Sequence, residues 1–373
     1  TNIDLANQLS WDILDLPLFW TGGNFMTDGY GTGFSTQLMI NENNMSNSNF
    51  QAIINEYLNI NNYHIFDNPN QESIQHIDCL AKLVNPERII IKQVPESSPE
   101  FDCIEEFAQS LSQLNTFYGR PFKIDRIFCP TIIAGPWETN PVAAYTNSLI
   151  LNKKVMVPQY GISEDTLALQ IYANAMPGYE VLGFNGLLEH PWYSEDALHC
   201  RTIGIFNPNM IHISHKAIRD DDVNNNTSIY IEAEIIDYSN INTNLESVIL
   251  YWKYGLNDGP FNNINLNLES NNTFTGTFPT LNSNSLIEYY ITATNIEGNT
   301  ASHPNAGWHI FETSNILVGD LNQDQIINIL DVILMINIVL LGEYIEEYDL
   351  NQDYTIDILD IVMLVNILMT SPY

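Results

Sequence analysis

His199, Cys200 and Arg201 stand in one short stretch of a chain that is otherwise poor in positive charge, DALHCRT (196–202). A cysteine thiolate attacks electrophilic carbon when its pKa is depressed and a proton-exchanging group stands beside it. Cys200 is either such a nucleophile in an electropositive pocket or a buried structural thiol with polar neighbours. A partner histidine occurs in QHIDCLAKL (75–83), where Asp78 follows His76 by two positions. In an extended strand, residues i and i+2 face the same side, so His76 and Asp78 would share one face of a pocket. A carboxylate grips a guanidinium through two hydrogen bonds, and a histidine beside it exchanges protons. Cys200, His76 and Asp78 together form a candidate site for attack on a guanidinium carbon. His199 reads as structural, because strand neighbours point to opposite faces. Cys79 and Cys103 read as buried packing thiols. The Gly22-Gly23-Asn24 turn lacks the lysine and helix start that a phosphate loop needs.

A second set of residues has the chemistry of a hard-cation site. DLNQDQIINILDVILMINIVL (320–340) matches DLNQDYTIDILDIVMLVNIL (349–368) at an offset of 29 residues. In each copy, oxygen-bearing side chains fall at loop positions 1, 3, 5, 9 and 12. The first copy supplies Asp320, Asn322, Asp324, Asn328 and Asp331; the second supplies Asp349, Asn351, Asp353, Asp357 and Asp360. Position 7 offers a backbone carbonyl, from Ile326 or Thr355. This spacing lets a twelve-residue loop wrap Ca²⁺ with oxygen ligands. Position 6 departs from the pattern: Gln325 and Tyr354 stand where glycine is preferred. An amphipathic helix is expected after each loop, with Val332, Met335, Ile336 and Val339 on one side of the first.

The elements that must position these groups fall into three blocks. RIIIKQV (88–94) and SLILNKKVMVP (148–158) read as buried β segments. SPEFDCIEEFAQSLSQL (98–114) reads as a helix with Phe101, Ile104, Phe107, Leu111 and Leu114 on one face and Cys103 on its inner side. Strands alternating with single helices predict an α/β domain. After polar RDDDVNNNTS (219–228) the apolar period becomes two: Ile229, Ile231, Ala233 and Ile235, then Val248, Leu250 and Trp252, then Ile287, Tyr289, Ile291 and Ala293. That pattern predicts a β-sandwich. We place the blocks at residues 1–217, 218–315 and 316–373.

Composition narrows the partners. Forty-five Asp and Glu face 12 Lys and Arg, a net charge of −33. Such a surface repels phosphate backbones and excludes nucleic acid, while it welcomes Ca²⁺ or an arginine-bearing substrate. No run of 18 apolar residues exists, so no membrane span is expected. Four cysteines without zinc spacing are too few for a disulfide-built scaffold, and any bridge must come from Cys79, Cys103 and Cys129 if Cys200 is free.

TGGNFMTDGYGTGFSTQLMI (21–40), HIDCLAKLVNPERIIIKQVP (76–95), AAYTNSLILNKKVMVPQYG (143–161) and DALHCRTIGI (196–205) resemble, in family order, the bacterial peptidylarginine deiminases of Porphyromonas type, with agmatine deiminases as relatives. The resemblance implies a pentein fold, an α/β propeller of five ββαβ-type modules, followed by an Ig-like sandwich. It implies Cys200 as nucleophile, His76 as general acid/base, Asp78 as guanidinium ligand and Asn147 as a pocket asparagine. No cofactor is implied for that chemistry. The family's second guanidinium-binding aspartate, in a Trp-x-Asp-Tyr-Gly setting, has no counterpart here. The chain is therefore expected to be an N-terminally incomplete propeller and inactive by itself. The C-terminal repeat resembles a type I dockerin, which implies Ca²⁺ and a cohesin-like or cell-surface partner. Ile329-Leu330 and Ile358-Leu359 stand where cellulosomal dockerins carry small polar residues. The expected function is conversion of peptidyl-arginine to citrulline and ammonia by an extracellular enzyme. The alternatives are a non-catalytic anchoring protein with a degenerate pentein domain, or an enzyme for a small guanidino compound such as agmatine.

Overall fold

The computed structural model describes residues 2–67, 74–132, 141–187, 191–193, 196–205, 207–223, 228–239, 245–255, 259–282, 284–313, 319–322, 326–342, 344–345, 348–351 and 353–370. The chain divides into two compact units, Thr1–Phe206 and Asn207–Tyr373.

In the first unit a short helix, α1 (Asn2–Leu9), precedes a pattern that recurs three times. β1 (Met26–Thr27) and β2 (Thr32–Thr36) form an antiparallel hairpin. α2 (Leu38–Asn43) and α3 (Asn47–Leu58) cross over, and β3 (Asn62–Phe66) returns parallel to β2. β4 (Ala81–Asn85), β5 (Arg88–Gln93), α4 (Phe101–Ser112) and β6 (Lys123–Phe128) repeat this order. So do β7 (Leu149–Leu151), β8 (Lys154–Gln159), α5 (Glu164–Ala175) and β9 (Glu180–Asn185). Each repeat is a ββαβ module in which the middle strand carries both an antiparallel and a parallel neighbour. The stretch 148–158, expected as one β segment, is the β7–β8 hairpin: Asn152 takes φ 53° at its turn, a left-handed conformation that asparagine tolerates.

Ile89, Ile90 and Ile91 are all buried because β5 has the central place in its sheet and is covered on both faces. α4 buries Ile104, Phe107 and Leu111 against the same core, as its spacing predicts, whereas Cys103 lies half-buried at the edge of that stripe. The scarce cations are largely used on this scaffold. Arg88 pairs with Asp125, Arg120 with Glu87, Arg126 with Glu105 and Lys92 with Glu100.

In the second unit, β10 (Ile211–Ser214), β11 (Tyr230–Asp237), β15 (Thr273–Thr277) and β14 (Asn267–Ser270) form one antiparallel sheet in the order 10-11-15-14. β12 (Leu245–Tyr254), β13 (Asn262–Asn265), β16 (Ser285–Asn295), β17 (Thr300–His303) and β18 (His309–Thr313) form the other. β16 is its spine: β12 runs along one edge, while β18 and β17 share the opposite edge end to end. Ile231, Ala233 and Ile235 meet Val248, Leu250, Ile287, Tyr289 and Ile291 in one core, so the period-two pattern points inward as predicted. Farther along the chain, α6 (Ile329–Leu341) and α7 (Ile358–Thr370) pack through Val332, Met335 and Leu364. Ile336, expected on the buried side of α6, is exposed.

Candidate active site

The expected strand geometry at His76 and Asp78 is not what brings them together. Ile77–Cys79 is a 3₁₀ turn, and His76 is the extended residue that leads into it. A second 3₁₀ turn, Gly22–Asn24, packs against the first. Gly23 is the contact point. A Cβ there would lie 2.6 Å from His76 Nδ1 and 3.0 Å from Asp78 Oδ2. Only glycine lets the two turns approach this closely, and the approach gathers the imidazole and the carboxylate around one spot.

Cys200 lies in a third 3₁₀ turn, His199–Arg201, which also packs on the glycine turn. Asn147 holds it. The asparagine is fully buried just ahead of β7, and its Nδ2 donates to Cys200 Sγ at 3.1 Å. Its Oδ1 accepts from the backbone N–H groups of His199 (3.0 Å) and Cys200 (3.3 Å). The backbone N–H of His199 also donates to the Asn147 carbonyl at 3.1 Å. One side chain thus fixes the turn and points a donor at sulfur. Cys200 as a residue is exposed, but its Sγ looks inward, 3.7 Å from Asp78 Oδ2.

His199 corrects the sequence reading. A turn, not a strand, carries it, so it projects to the same side as Cys200. Its Nδ1 lies 2.7 Å from Asp78 Oδ2. Cys79 is buried, as expected, but it also borders the site, with Sγ 3.5 Å from Asp78 Oδ1. Asp78 is buried and so faces His199 and both thiols. The signal that could have exposed this is adjacency: next to a cysteine in a short turn, i−1 and i+1 share its surroundings. All four cysteines are free.

The electrostatics favour a reactive sulfur. A hydrogen bond with Cys79 lowers the Cys200 pKa below the usual thiol range. Burial and the Asp78 charge oppose it, and Asn147 adds to the lowering. Burial lowers the pKa of His76, while Asp78 and Glu42 pull it back up. Lys82, buried on β4, is pushed down to about 8 by burial, with Asp78 and Cys200 acting to raise it.

The C-terminal loops are partly visible. Asp331 is fully buried; its Oδ1 accepts from the N–H groups of Leu321 and Asn322 and its Oδ2 from that of Asn328. Asp360, also fully buried, accepts from the N–H groups of Asn351 and Asp357 in the same manner. Asp349 accepts from the N–H groups of Asp353 and Tyr354. Asp324 and Gln325 lie outside the described residues. Among the described residues, no three His, Cys, Asp or Glu side chains converge as a metal site requires. The carboxylates of Asp353 and Asp357 turn instead to N–H groups of their own loop, those of Thr355 and Leu359. The donor chemistry still suits a hard cation. Residues 319–373 contain no Lys, Arg or His, so these buried carboxylates have no cationic side chain nearby in the chain to balance them.

Three ββαβ modules and a cysteine–asparagine–aspartate cluster are the marks of a pentein-type deiminase fold. Residues 2–205 match the family described as Porphyromonas-type peptidyl-arginine deiminase, and the chain belongs to that family. Residues 318–369 match the type I dockerin domain. A protein of Lactococcus lactis subsp. lactis provisionally named agmatine deiminase is 29% identical over 204 residues, covering 48% of this chain and 55% of its own. A protein of the same provisional name from Enterococcus faecalis is 28% identical over 204 residues, with the same coverage. The chain therefore spans about half the length of the curated relatives it matches. A crystal structure of a provisionally assigned peptidyl-arginine deiminase shares the fold at 18% identity and a TM-score of 0.50, covering 55% of this chain and 64% of that one.

Proposed function

We propose that this chain contributes to a hydrolase that converts the guanidinium of peptidyl-arginine to the ureido group of citrulline, with release of ammonia. The observation that carries the reading is the convergence of Cys200, Asn147, Asp78 and His76 through three packed 3₁₀ turns. The Cys200 thiolate attacks the guanidinium carbon. Asp78 holds the substrate's positive charge, and Asn147 keeps the sulfur aimed. His76 gives a proton to the departing nitrogen, and the C–N bond breaks to leave a thiouronium on Cys200. His76 then takes a proton from water as it adds to that carbon. The C–S bond breaks, and thiolate and citrulline are released. A depressed His76 pKa means that the proton it gives must come with the substrate complex or from the Cys200 thiol.

The names of the relatives favour a second reading, agmatine as substrate. The experiment is citrulline and ammonia release by the full protein from blocked arginyl peptides and from agmatine, with Cys200→Ala as control. Turnover of agmatine alone would transfer the reading to the small substrate. Undiminished turnover by Cys200→Ala would sink the mechanism.

The C-terminal module fits an extracellular setting. Asp320, Asn322, Asp324, Asn328 and Asp331 would hold one Ca²⁺, with the carbonyl of Ile326. Asp349, Asn351, Asp353, Asp357 and Asp360 would hold another, with the carbonyl of Thr355. Ile329, Leu330 and Ile333 on α6, with Ile358, Leu359 and Val362 on α7, are exposed and suit an apolar cohesin-like partner. No helix among the described residues is long and apolar enough to cross a membrane. The block boundaries read from the sequence, 1–217, 218–315 and 316–373, with an Ig-like middle block, remain our assignment.

A further inference from the structure

We propose that His199 is a positioning residue: its Nδ1–H holds the Asp78 carboxylate, through Oδ2, in the orientation that receives a guanidinium. The inference rests on the reading of Asp78 as guanidinium ligand. Asp78 is 4% exposed, and a buried carboxylate needs hydrogen-bond donors to stay charged and fixed. Among the described residues, three side chains meet it. Two are thiols, weak donors: Cys79 Sγ lies 3.5 Å from Oδ1 and Cys200 Sγ 3.7 Å from Oδ2. The third is the His199 ring, whose Nδ1 lies 2.7 Å from Oδ2. It is the one nitrogen donor and the one short contact of the three.

The backbone fixes where that ring starts from. The His199 N–H donates to the carbonyl and to Oδ1 of Asn147. Its carbonyl accepts from the N–H of Thr202 at 3.1 Å and from the Thr202 hydroxyl at 2.9 Å. The ring therefore reaches Asp78 from a residue pinned on both sides. The next residue is Cys200, whose Sγ faces the same Oδ2. One turn thus sets the carboxylate and the nucleophile relative to each other, and so sets where a guanidinium carbon stands before the sulfur. His76 acts on Asp78 through charge and, among the described residues, has no hydrogen bond to it, which leaves that ring to carry the proton.

The test is protection of Cys200 from iodoacetamide by a blocked arginine amide, in the full chain and followed by peptide mapping. Loss of a hydrogen bond to an ion should raise the half-protecting concentration roughly tenfold in His199→Ala. Asparagine places an amide N–H where the ring has Nδ1, whereas glutamine places one nearer Nε2. His199→Asn should therefore recover most of the affinity and His199→Gln little of it. Unchanged protection in His199→Ala, or equal recovery by both amides, overturns the proposal. The contact also has a signature in the unaltered protein, which serves should His199→Ala not fold. A free neutral imidazole prefers its proton on Nε2, whereas donation to Asp78 demands it on Nδ1. The ¹⁵N spectrum of the His199 ring at alkaline pH, assigned by its loss in His199→Asn, should show the Nδ1–H tautomer; the Nε2–H tautomer overturns the proposal. A wild type that the arginine amide fails to protect sinks the guanidinium reading of Asp78 itself. A protected wild type indifferent to His199 sinks this proposal alone.

Discussion

Gly23→Ala isolates the part played by geometry. The glycine's φ is not in the left-handed region, so alanine meets no backbone objection there. The objection is contact. The added methyl would stand 2.6 Å from His76 Nδ1 and 3.0 Å from Asp78 Oδ2, where carbon–nitrogen contacts ordinarily begin near 3.4 Å. Relief requires His76 to retreat by about 0.8 Å, the difference between those two distances, or the glycine turn to move as a body. A misplacement on the order of 1 Å can cost about a hundredfold in rate, or ~2.7 kcal/mol of barrier. In the full protein, citrulline release under kcat/KM conditions should therefore fall by about two orders of magnitude. Iodoacetamide should still alkylate Cys200, because the methyl approaches His76 and Asp78 and not the sulfur. Undiminished turnover would refute the claim that His76 and Asp78 act from these positions.

Asn147→Asp keeps the acceptor for the His199 and Cys200 N–H groups but replaces the donor to sulfur with a negative oxygen. The half-point of Cys200 alkylation should rise by about one to two pH units, and an unchanged profile would remove Asn147 from the site. In the second unit, burial holds the His303 pKa down to about 3, with His215 and His212 acting the same way. An unfolded histidine binds its proton near pH 6.5, so this contribution is full above that value and is lost as pH falls toward 3; from pH 7 to 5 it amounts to ~2 kcal/mol. Hydrogen exchange on β16 should show this loss in the wild type and a smaller one in His303→Asn; equal losses would refute it. Calorimetric titration of the full chain with Ca²⁺ should show two sites, reduced to one by Asp331→Ala or Asp360→Ala, because position 12 closes the loop. Absence of binding at millimolar Ca²⁺ would remove the metal assignment.

What the sequence made legible follows from which interactions are local. The α4 stripe, the isoleucines of β5 and the alternation in β11, β12 and β16 are local periodicities, and the structure buries each as read. His76, Asp78, Cys200 and Asn147 were found by their types and motifs, and the structure brings them together. The reason offered for the first pair was nonetheless a strand where a turn exists. The same assumption hid His199. Its contact with Asp78 spans 121 positions, and its adjacency to Cys200 is the one local sign that it borders the site.

The placement of the site residues has one topological cause. Asn24, Cys79 and Asn147 each stand two residues ahead of the first strand of a ββαβ module, before Met26, Ala81 and Leu149 respectively. Each module thus presents the residues before its hairpin at an equivalent place. A polar side chain there can leave the sheet without breaking a strand's apolar alternation, and the hairpin that follows anchors it. Chemistry assembled this way draws one short turn from each repeat, which explains why the groups are scattered along the sequence and adjacent in space. Two of these places, ahead of β1 and β4, are tight 3₁₀ turns with little room for change, whereas the turn that carries Cys200 follows the third module. Gly23, Asn24 and Asn147 line the crowded site, and the buried core beside them includes Phe34, Leu80, Tyr145 and the isoleucines of β5. Substitutions in that core should therefore alter stability before they alter the pH profile of Cys200, while substitutions in the turns should do the reverse.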